Sequence, residues 1–354
     1  MPFDRFMAMA LYAPRWGYYA RDDHQFGVLP ASGSDFVTAP ELSPLFGQAL
    51  ARQVRQALDG SGTDELWEFG AGSGVLAREL LDALGSRVKR YTIVDVSGAL
   101  RDRQREVLRL HLDRVRWIDE WPEAMQGVVV GNEVLDAMPV QLLHFDGQQW
   151  YERGVSLRAV DRDTSPPWEW ADRTTDLRLP VDEAVDGSPD PGGVYTTEIH
   201  RQAEAFIATL AERLQRGAAF FIDYGFPAAE YYHQQRHGGT LMCHRAHQAD
   251  TDPLADVGDK DITAHINFTG LAMAAQEAGL EVLGYTSQAR FLMNCGLLDL
   301  LQGADIRTIA NAQKLLTEHE MGELFKVIGF AKDCDAAFTN SPIGFTHGDR
   351  THTL

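Results

Sequence analysis

Three glycines in alternation, Gly70, Gly72 and Gly74, come two residues after an acid, Glu68. A strand-like run (Glu65-Leu66-Trp67) precedes them. From Val75 to Leu84 a helical pattern follows, with Leu76, Leu80, Leu81 and Leu84 on one face. Glycines at such a turn let backbone N–H groups come close to a ligand at the helix N-terminus. The next apolar run, Tyr91-Thr92-Ile93-Val94, ends in Asp95. That acid lies roughly 20 residues on, where a strand-end carboxylate accepts hydrogen bonds from ribose hydroxyls. The chemistry indicated is capture of a nucleoside-containing cofactor. The plainer alternative, a strand-to-helix turn with no ligand, is weaker once Asp95 is counted.

The glycine spacing discriminates among cofactors. A dinucleotide turn places glycines at its first, third and sixth positions; here they fall at one, three and five, and Val75 takes the sixth. That disfavours a nicotinamide-dependent oxidoreductase. No Gly-Lys-Ser/Thr follows, so the phosphate-cradling loop of nucleotide hydrolases is absent. An acid followed by alternating glycines resembles motif I of class I S-adenosyl-L-methionine (SAM) methyltransferases. The resemblance implies that Gly70, Gly72 and Gly74 admit the methionine end and that Asp95 holds the ribose, with Ala71 and Val96 among the cofactor-binding positions. Glu68 then orders the loop or holds the ammonium through water.

The elements that must position these groups come from a chain of 354 residues, 44% hydrophobic. That is ample for one large α/β core with insertions. The net charge of −19 argues against a nucleic-acid partner and suits a cationic ligand. Three scattered cysteines, Cys243, Cys295 and Cys334, form no pairing framework. No run is long enough to insert in a membrane and no secretory signal is visible. The expected location is the cytoplasm.

In chain order, Phe3, Phe6, Met7, Ala10 and Leu11 share a helical face. Ser43-Pro44 caps an amphipathic helix ending near Gly60. Around these lie Gly17-Tyr18-Tyr19 and the string Asp35-Phe36-Val37-Thr38-Ala39-Pro40-Glu41-Leu42-Ser43-Pro44-Leu45-Phe46-Gly47, which resembles the N-terminal signature of the MidA family of SAM-dependent methyltransferases. A helix at the very start implies a shorter N-terminus than that family's. Ser97 caps a helix whose arginines, Arg101, Arg103, Arg105 and Arg109, read as a solvated face. Gly127 to Gly131 is a buried strand ending in Asn132-Glu133-Val134-Leu135-Asp136-Ala137-Met138-Pro139, which resembles the family's Asn-Glu-x-x-Asp-Ala-x-Pro motif. If this segment turns helically, Glu133 and Asp136 share a face. Asp146-Gly147 signals a hairpin between Leu142–Phe145 and Trp150–Val155. Ala218 to Asp223 is a further buried strand with Tyr224 at its end. Asp261-Ile262-Thr263-Ala264-His265 resembles another family motif, preceded by Val257-Gly258 where the family has Pro-Gly. Met321 to Val327 resembles a late one.

These alternations give an α/β fold: a doubly wound, mostly parallel, Rossmann-like sheet of the class I SAM methyltransferase type. The expected divisions are an N-terminal helical segment at 1–60 contributing to the cofactor pocket and a methyltransferase core at 61–334. The core carries insertions at about 156–195 and 226–262, and a loose tail follows at 335–354. The histidines His233, His237, His244 and His247 near Cys243 do not match zinc spacing, so no metal is expected.

Active groups in open parallel sheets sit at the carboxyl ends of strands. That singles out Asn132, Glu133 and Asp136 first, then Asp223, Tyr224 and His265; a hydrogen-bonded core role for His265 is equally open. Thr38 and Glu41 close the pocket from the N-terminal segment. The family resemblance implies a protein substrate presenting an arginine, whose guanidinium pairs bidentately with carboxylates. The competing reading is a SAM-binding assembly scaffold with little turnover. Oligomeric state is open, a homo-oligomer included.

Overall fold

Two apolar runs dictate the sheet. In Met125–Asn132, Val128 and Val130 join one buried cluster while Met125 and Val129 join another. Leu214–Phe226 repeats the alternation, with Ala218, Phe220 and Ile222 opposed to Ala219 and Phe221. Strands buried on both faces need helices above and below. Each valine so buried contributes roughly 1.5–3 kcal/mol against the entropy of ordering the chain.

The computed structural model describes residues 1–20, 38–95, 98–158, 167–180, 193–245 and 248–354. In chain order its strands are β1 (Glu65–Phe69), β2 (Arg90–Val94), β3 (Val115–Ile118), β4 (Met125–Asn132), β5 (Gln141–Phe145), β6 (Trp150–Leu157), β7 (Trp168–Thr174) and β8 (Tyr195–Ile199). There follow β9 (Leu214–Phe226), β10 (Met242–Arg245), β11 (Gln248–Asp250), β12 (Asp261–Thr263), β13 (Ile266–Asn267), β14 (Glu281–Ser287) and β15 (Phe325–Lys332). The main sheet has the order β14-β15-β9-β4-β1-β2-β3, with β13 beside the end of β9. Strands β3, β2, β1, β4 and β9 are parallel, and β15 is antiparallel to both its neighbours. This is the doubly wound, mostly parallel sheet expected. Strand order reverses between β1, which pairs with β2, and β4, so a crevice opens at their carboxyl ends.

Six helices bear on the site: α1 (Phe3–Tyr12), α2 (Ala39–Leu42), α3 (Pro44–Ser61), α4 (Val75–Leu84), α5 (Gly98–Val107) and α6 (Arg201–Arg213). Buried residues of α3 and α4 pack on one face of the sheet; those of α6 and of the helix Phe268–Glu277 pack on the other.

The expected N-terminal unit, 1–60, is divided between two cores. Helix α3 belongs to the main core. Phe3, Phe6, Met7 and Leu11 of α1 pack instead with Leu142, Val155, Cys243 and Ile262. The expected hairpin is present as β5–β6, but β6 also pairs with β7 and β5 with β8. The first insertion is therefore a four-stranded antiparallel sheet beginning at Gln141, earlier than the expected 156. In the second, β10 pairs with β11 and β12.

The C-terminal segment is not a loose tail. Phe338 and Phe345 are buried in the main core, and the Tyr285 N–H donates to Asp349 Oδ1 at 3.0 Å. Without helical or strand periodicity, two isolated aromatics gave no sign of this docking.

Candidate active site

The turn after β1 is built by backbone geometry that only glycine adopts freely. Gly70 has φ +61° and Gly72 φ +49°. The Gly70 N–H donates to the Val94 carbonyl at 3.2 Å, tying the turn to β2. A Cβ on Gly72 would meet nothing within 4 Å. The space beside it is a cavity of about 360 Å³ at the crevice between β1, β2 and β4.

Of the residues singled out from sequence, Thr38, Glu41, Glu68, Gly70, Ala71, Gly72, Asp95, Asn132 and Glu133 line this cavity. Gly74 does not; it caps α4 at φ +82°. Val96 lies outside the described residues. Asp136, Asp223, Tyr224 and His265 stand behind the wall. The segment after β4 is no helix: Glu133 adopts φ +53°, and a tight turn follows in which the Met138 N–H donates to the Leu135 carbonyl at 3.1 Å. Glu133 and Asp136 therefore diverge. A non-glycine residue held at positive φ is the kind of strain that clusters at functional sites.

Asp223 explains how that strain is held. Its carboxylate accepts from the N–H groups of Leu135 (2.9 Å), Asp136 (3.3 Å) and Tyr224 (2.9 Å). It is a brace, 1% exposed, and burial with the nearby Glu133 charge pushes its pKa up to about 8. Asp136 is equally buried, and burial together with Asp223 holds its carboxyl well above the usual range. Glu133, by contrast, meets the cavity. Its Oε1 accepts from Asn132 Nδ2 and its Oε2 from the Tyr224 hydroxyl, each at 2.9 Å. The Ala39 N–H of the N-terminal segment also donates to it. Burial raises its pKa to about 7, against these hydrogen bonds. His265 stacks on Tyr224 with ring centres 5.8 Å apart. Burial, with Arg236 and Lys326 nearby, lowers its pKa to about 4, so the ring is neutral at pH 7.

At the other end, Glu68 Oε2 accepts from Tyr91 at 2.7 Å, and burial pushes the Glu68 carboxyl to about 8. Asp95 Oδ2 accepts from Gln104 Nε2 at 3.2 Å.

Sequence reading missed two aromatic walls. Phe69, Trp121 and Phe206 form a mutual cluster with centroids 4.8–5.1 Å apart. Tyr12 and Tyr19 stack at 5.6 Å, their hydroxyls donating to the Ala137 carbonyl and to Asp261. All five line the cavity. Trp121 and Phe206 carried no signal, being apolar residues on unrelated elements. Tyr19 stood in the Gly17-Tyr18-Tyr19 string, without a role.

The lining suits a cation that donates hydrogen bonds. Among its described residues are six carboxyl groups (Glu41, Glu68, Asp95, Asp119, Glu120 and Glu133) and no lysine, arginine or histidine. Two buried acceptors there, Glu41 Oε2 and Asn132 Oδ1, have no partner among the described residues. SAM, with its sulfonium, ammonium and ribose, fits this donor-hungry lining beside an open glycine turn. Among the described residues no group of three or more His, Cys, Asp or Glu is arranged for a metal ion.

A glycine turn opening a helix, an acid closing the next strand and a cation-seeking cavity at a switch point define a nucleoside-binding enzyme of the Rossmann-like methyltransferase class. Residues 49–286 match the family described as "Putative S-adenosyl-L-methionine-dependent methyltransferase". The chain belongs to that family and is a SAM-dependent methyltransferase.

It is similar to a Burkholderia thailandensis COG1565 superfamily member solved bound to S-adenosyl-homocysteine. That structure is 50% identical with TM-score 0.91, covering 100% of this chain and 92% of that one. Among curated relatives, the Caenorhabditis elegans protein arginine methyltransferase NDUFAF7 homolog, mitochondrial, is 26% identical over 82% of this chain and 72% of its own length. The Mus musculus protein arginine methyltransferase NDUFAF7, mitochondrial, is 27% identical over 90% and 78%. These names correct the expected cytoplasmic location: the relatives are called mitochondrial, and net charge and cysteine usage do not distinguish the two compartments. No helix among the described residues is long and apolar enough to cross a membrane.

Proposed function

We propose that the acceptor is an arginine side chain of a protein substrate, bound where Asn132 and Glu133 meet the cavity, with Tyr224 holding Glu133 from behind. The observation that carries this is the lining itself, acidic and without a cationic side chain among its described residues, with Glu41 Oε2 and Asn132 Oδ1 unpartnered among those residues. A guanidinium offers five donors in a plane and stays charged at neutral pH. The arginine methyltransferase names of the curated relatives agree with it.

When bound, SAM supplies an electrophilic methyl group. The chain supplies the rest. The glycine turn and Glu68 receive the methionine end, and Asp95 receives the ribose. Glu133, fixed by Asn132 and Tyr224, pairs with the guanidinium and aims one nitrogen along the line of attack. Methylation would form a new N–C bond as the cofactor's methyl–sulfur bond breaks, leaving S-adenosyl-homocysteine, and would free one N–H proton. Glu133, with a pKa raised to about 7, is a suitable acceptor for that proton. Identifying the methylated side chain after incubation with labelled SAM tests the proposal; label on arginine supports it.

A further inference from the structure

Gln104 lies on α5, is completely buried, and makes three side-chain hydrogen bonds. Its Nε2 donates to the Gly72 carbonyl at 2.9 Å and to Asp95 Oδ2 at 3.2 Å. Its Oε1 accepts from the Trp117 indole N–H at 2.8 Å. Because that indole nitrogen is only a donor, the amide cannot be flipped, and its NH2 must face Gly72 and Asp95. Gly74 now finds its purpose. A Cβ there would stand 3.3 Å from Gln104 Cα and Cγ, at a φ of +82° that side chains rarely adopt. The third glycine of the turn leaves room for Gln104.

We infer that Gln104 is a positioning residue that locks the glycine turn and the Asp95 carboxylate into one unit, so that Asp95 presents its oxygens to the ribose hydroxyls of the cofactor. A glutamine between two elements of a binding site removes the rotamer freedom that Asp95 would otherwise lose on binding. One primary amide serves both partners at once, which a hydroxyl or a carboxylate does not. The inference rests on the ribose role given to Asp95 above.

The test is a ligand cycle. Calorimetry measures the affinity of wild type and Gln104→Met for S-adenosyl-homocysteine and for its 2′,3′-dideoxy analogue. Wild type is expected to prefer the hydroxylated ligand by about tenfold or more, as for one or two lost charge-assisted hydrogen bonds. In Gln104→Met that preference shrinks to about threefold or less, mainly through weaker binding of S-adenosyl-homocysteine. A purely structural lesion lowers both affinities together and keeps the ratio, and that result overturns the inference. Absence of any preference in wild type overturns the ribose role of Asp95 instead. Should Gln104→Met not fold, Gln104→Glu keeps the acceptor for Trp117 but sets a carboxylate against Asp95. It is expected to lose the preference at pH 8 and regain part of it at pH 5; a wild-type ratio at both pH values overturns the inference.

Discussion

Glu68 lies under the glycine turn, 2% exposed, with a carboxyl pushed to about 8 by burial. A carboxyl with that pKa is about 0.9 protonated at pH 7. If the cationic end of the cofactor draws Glu68 into its ionised form, binding must expel that proton. Titration of SAM or S-adenosyl-homocysteine into the protein at pH 7, in buffers of different ionisation enthalpy, should therefore show a release near 0.9 proton from this group. Glu133, with a pKa of about 7, adds up to about 0.5 if it too ionises. The sign for affinity follows. Ionisation of Glu68 is unfavourable below pH 8, so binding strengthens as pH rises from 6 to 8, by at most about tenfold per unit, then levels off. Glu68→Gln should cut the release by about 0.9 proton and flatten the pH dependence. Equal proton release by Glu68→Gln and wild type would refute the assignment of Glu68 as the group that meets the cofactor's charge.

Other expectations follow from the same geometry. Glu133→Gln keeps the shape but not the charge; methyl transfer should drop about 100-fold or more while S-adenosyl-homocysteine affinity stays within about threefold. In wild type at saturating SAM, kcat/KM for the acceptor should rise with pH through about 7, the pKa of Glu133, and this limb should vanish in the variant. Gly72→Val fills the open space beside φ +49° and should abolish S-adenosyl-homocysteine binding in calorimetry, at about 1–2 kcal/mol of stability by denaturant titration. Glu79 is buried under α3 with Oε2 unpartnered among the described residues, and burial raises its pKa to about 8 against the Arg78 charge and the Gly47 N–H. The folded state holds this proton more tightly than the unfolded chain, so wild type loses stability as pH rises from about 4.5 to 8, by at most about 1.4 kcal/mol per unit. Glu79→Met should be more stable by about 2–4 kcal/mol at pH 8 and nearly equal to wild type at pH 4.5; identical profiles would refute it.

The sheet and half of the site were legible because their signals are local. The glycine turn needs Gly70 and Gly72 for conformation, Asp95 must end β2, and Asn132-Glu133 must end β4. Continuous apolar runs in β4 and β9 mark strands buried on both faces. What sequence could not give is direction. Asp136, three residues from Glu133, turns inward because Glu133 takes positive φ, and no spacing rule contains that. Asp223 lies inside β9, near its carboxyl end, and its oxygens are consumed by three backbone N–H groups. Gln104, Trp121 and Phe206 reach the site through tertiary packing alone; their types are ordinary for the helices and loops that carry them. Tyr12 reaches it because α1 docks on the inserted sheets, a contact between segments more than 120 residues apart in sequence.

The most direct test is to incubate the protein with methyl-labelled SAM and an extract, then identify the labelled amino acid by mass spectrometry, with Glu133→Gln alongside. Label on arginine guanidinium nitrogens, lost in Glu133→Gln while S-adenosyl-homocysteine still binds, is the expected result. Label confined to another side chain or to a small molecule, or undiminished label in Glu133→Gln, would contradict an arginine held by Glu133.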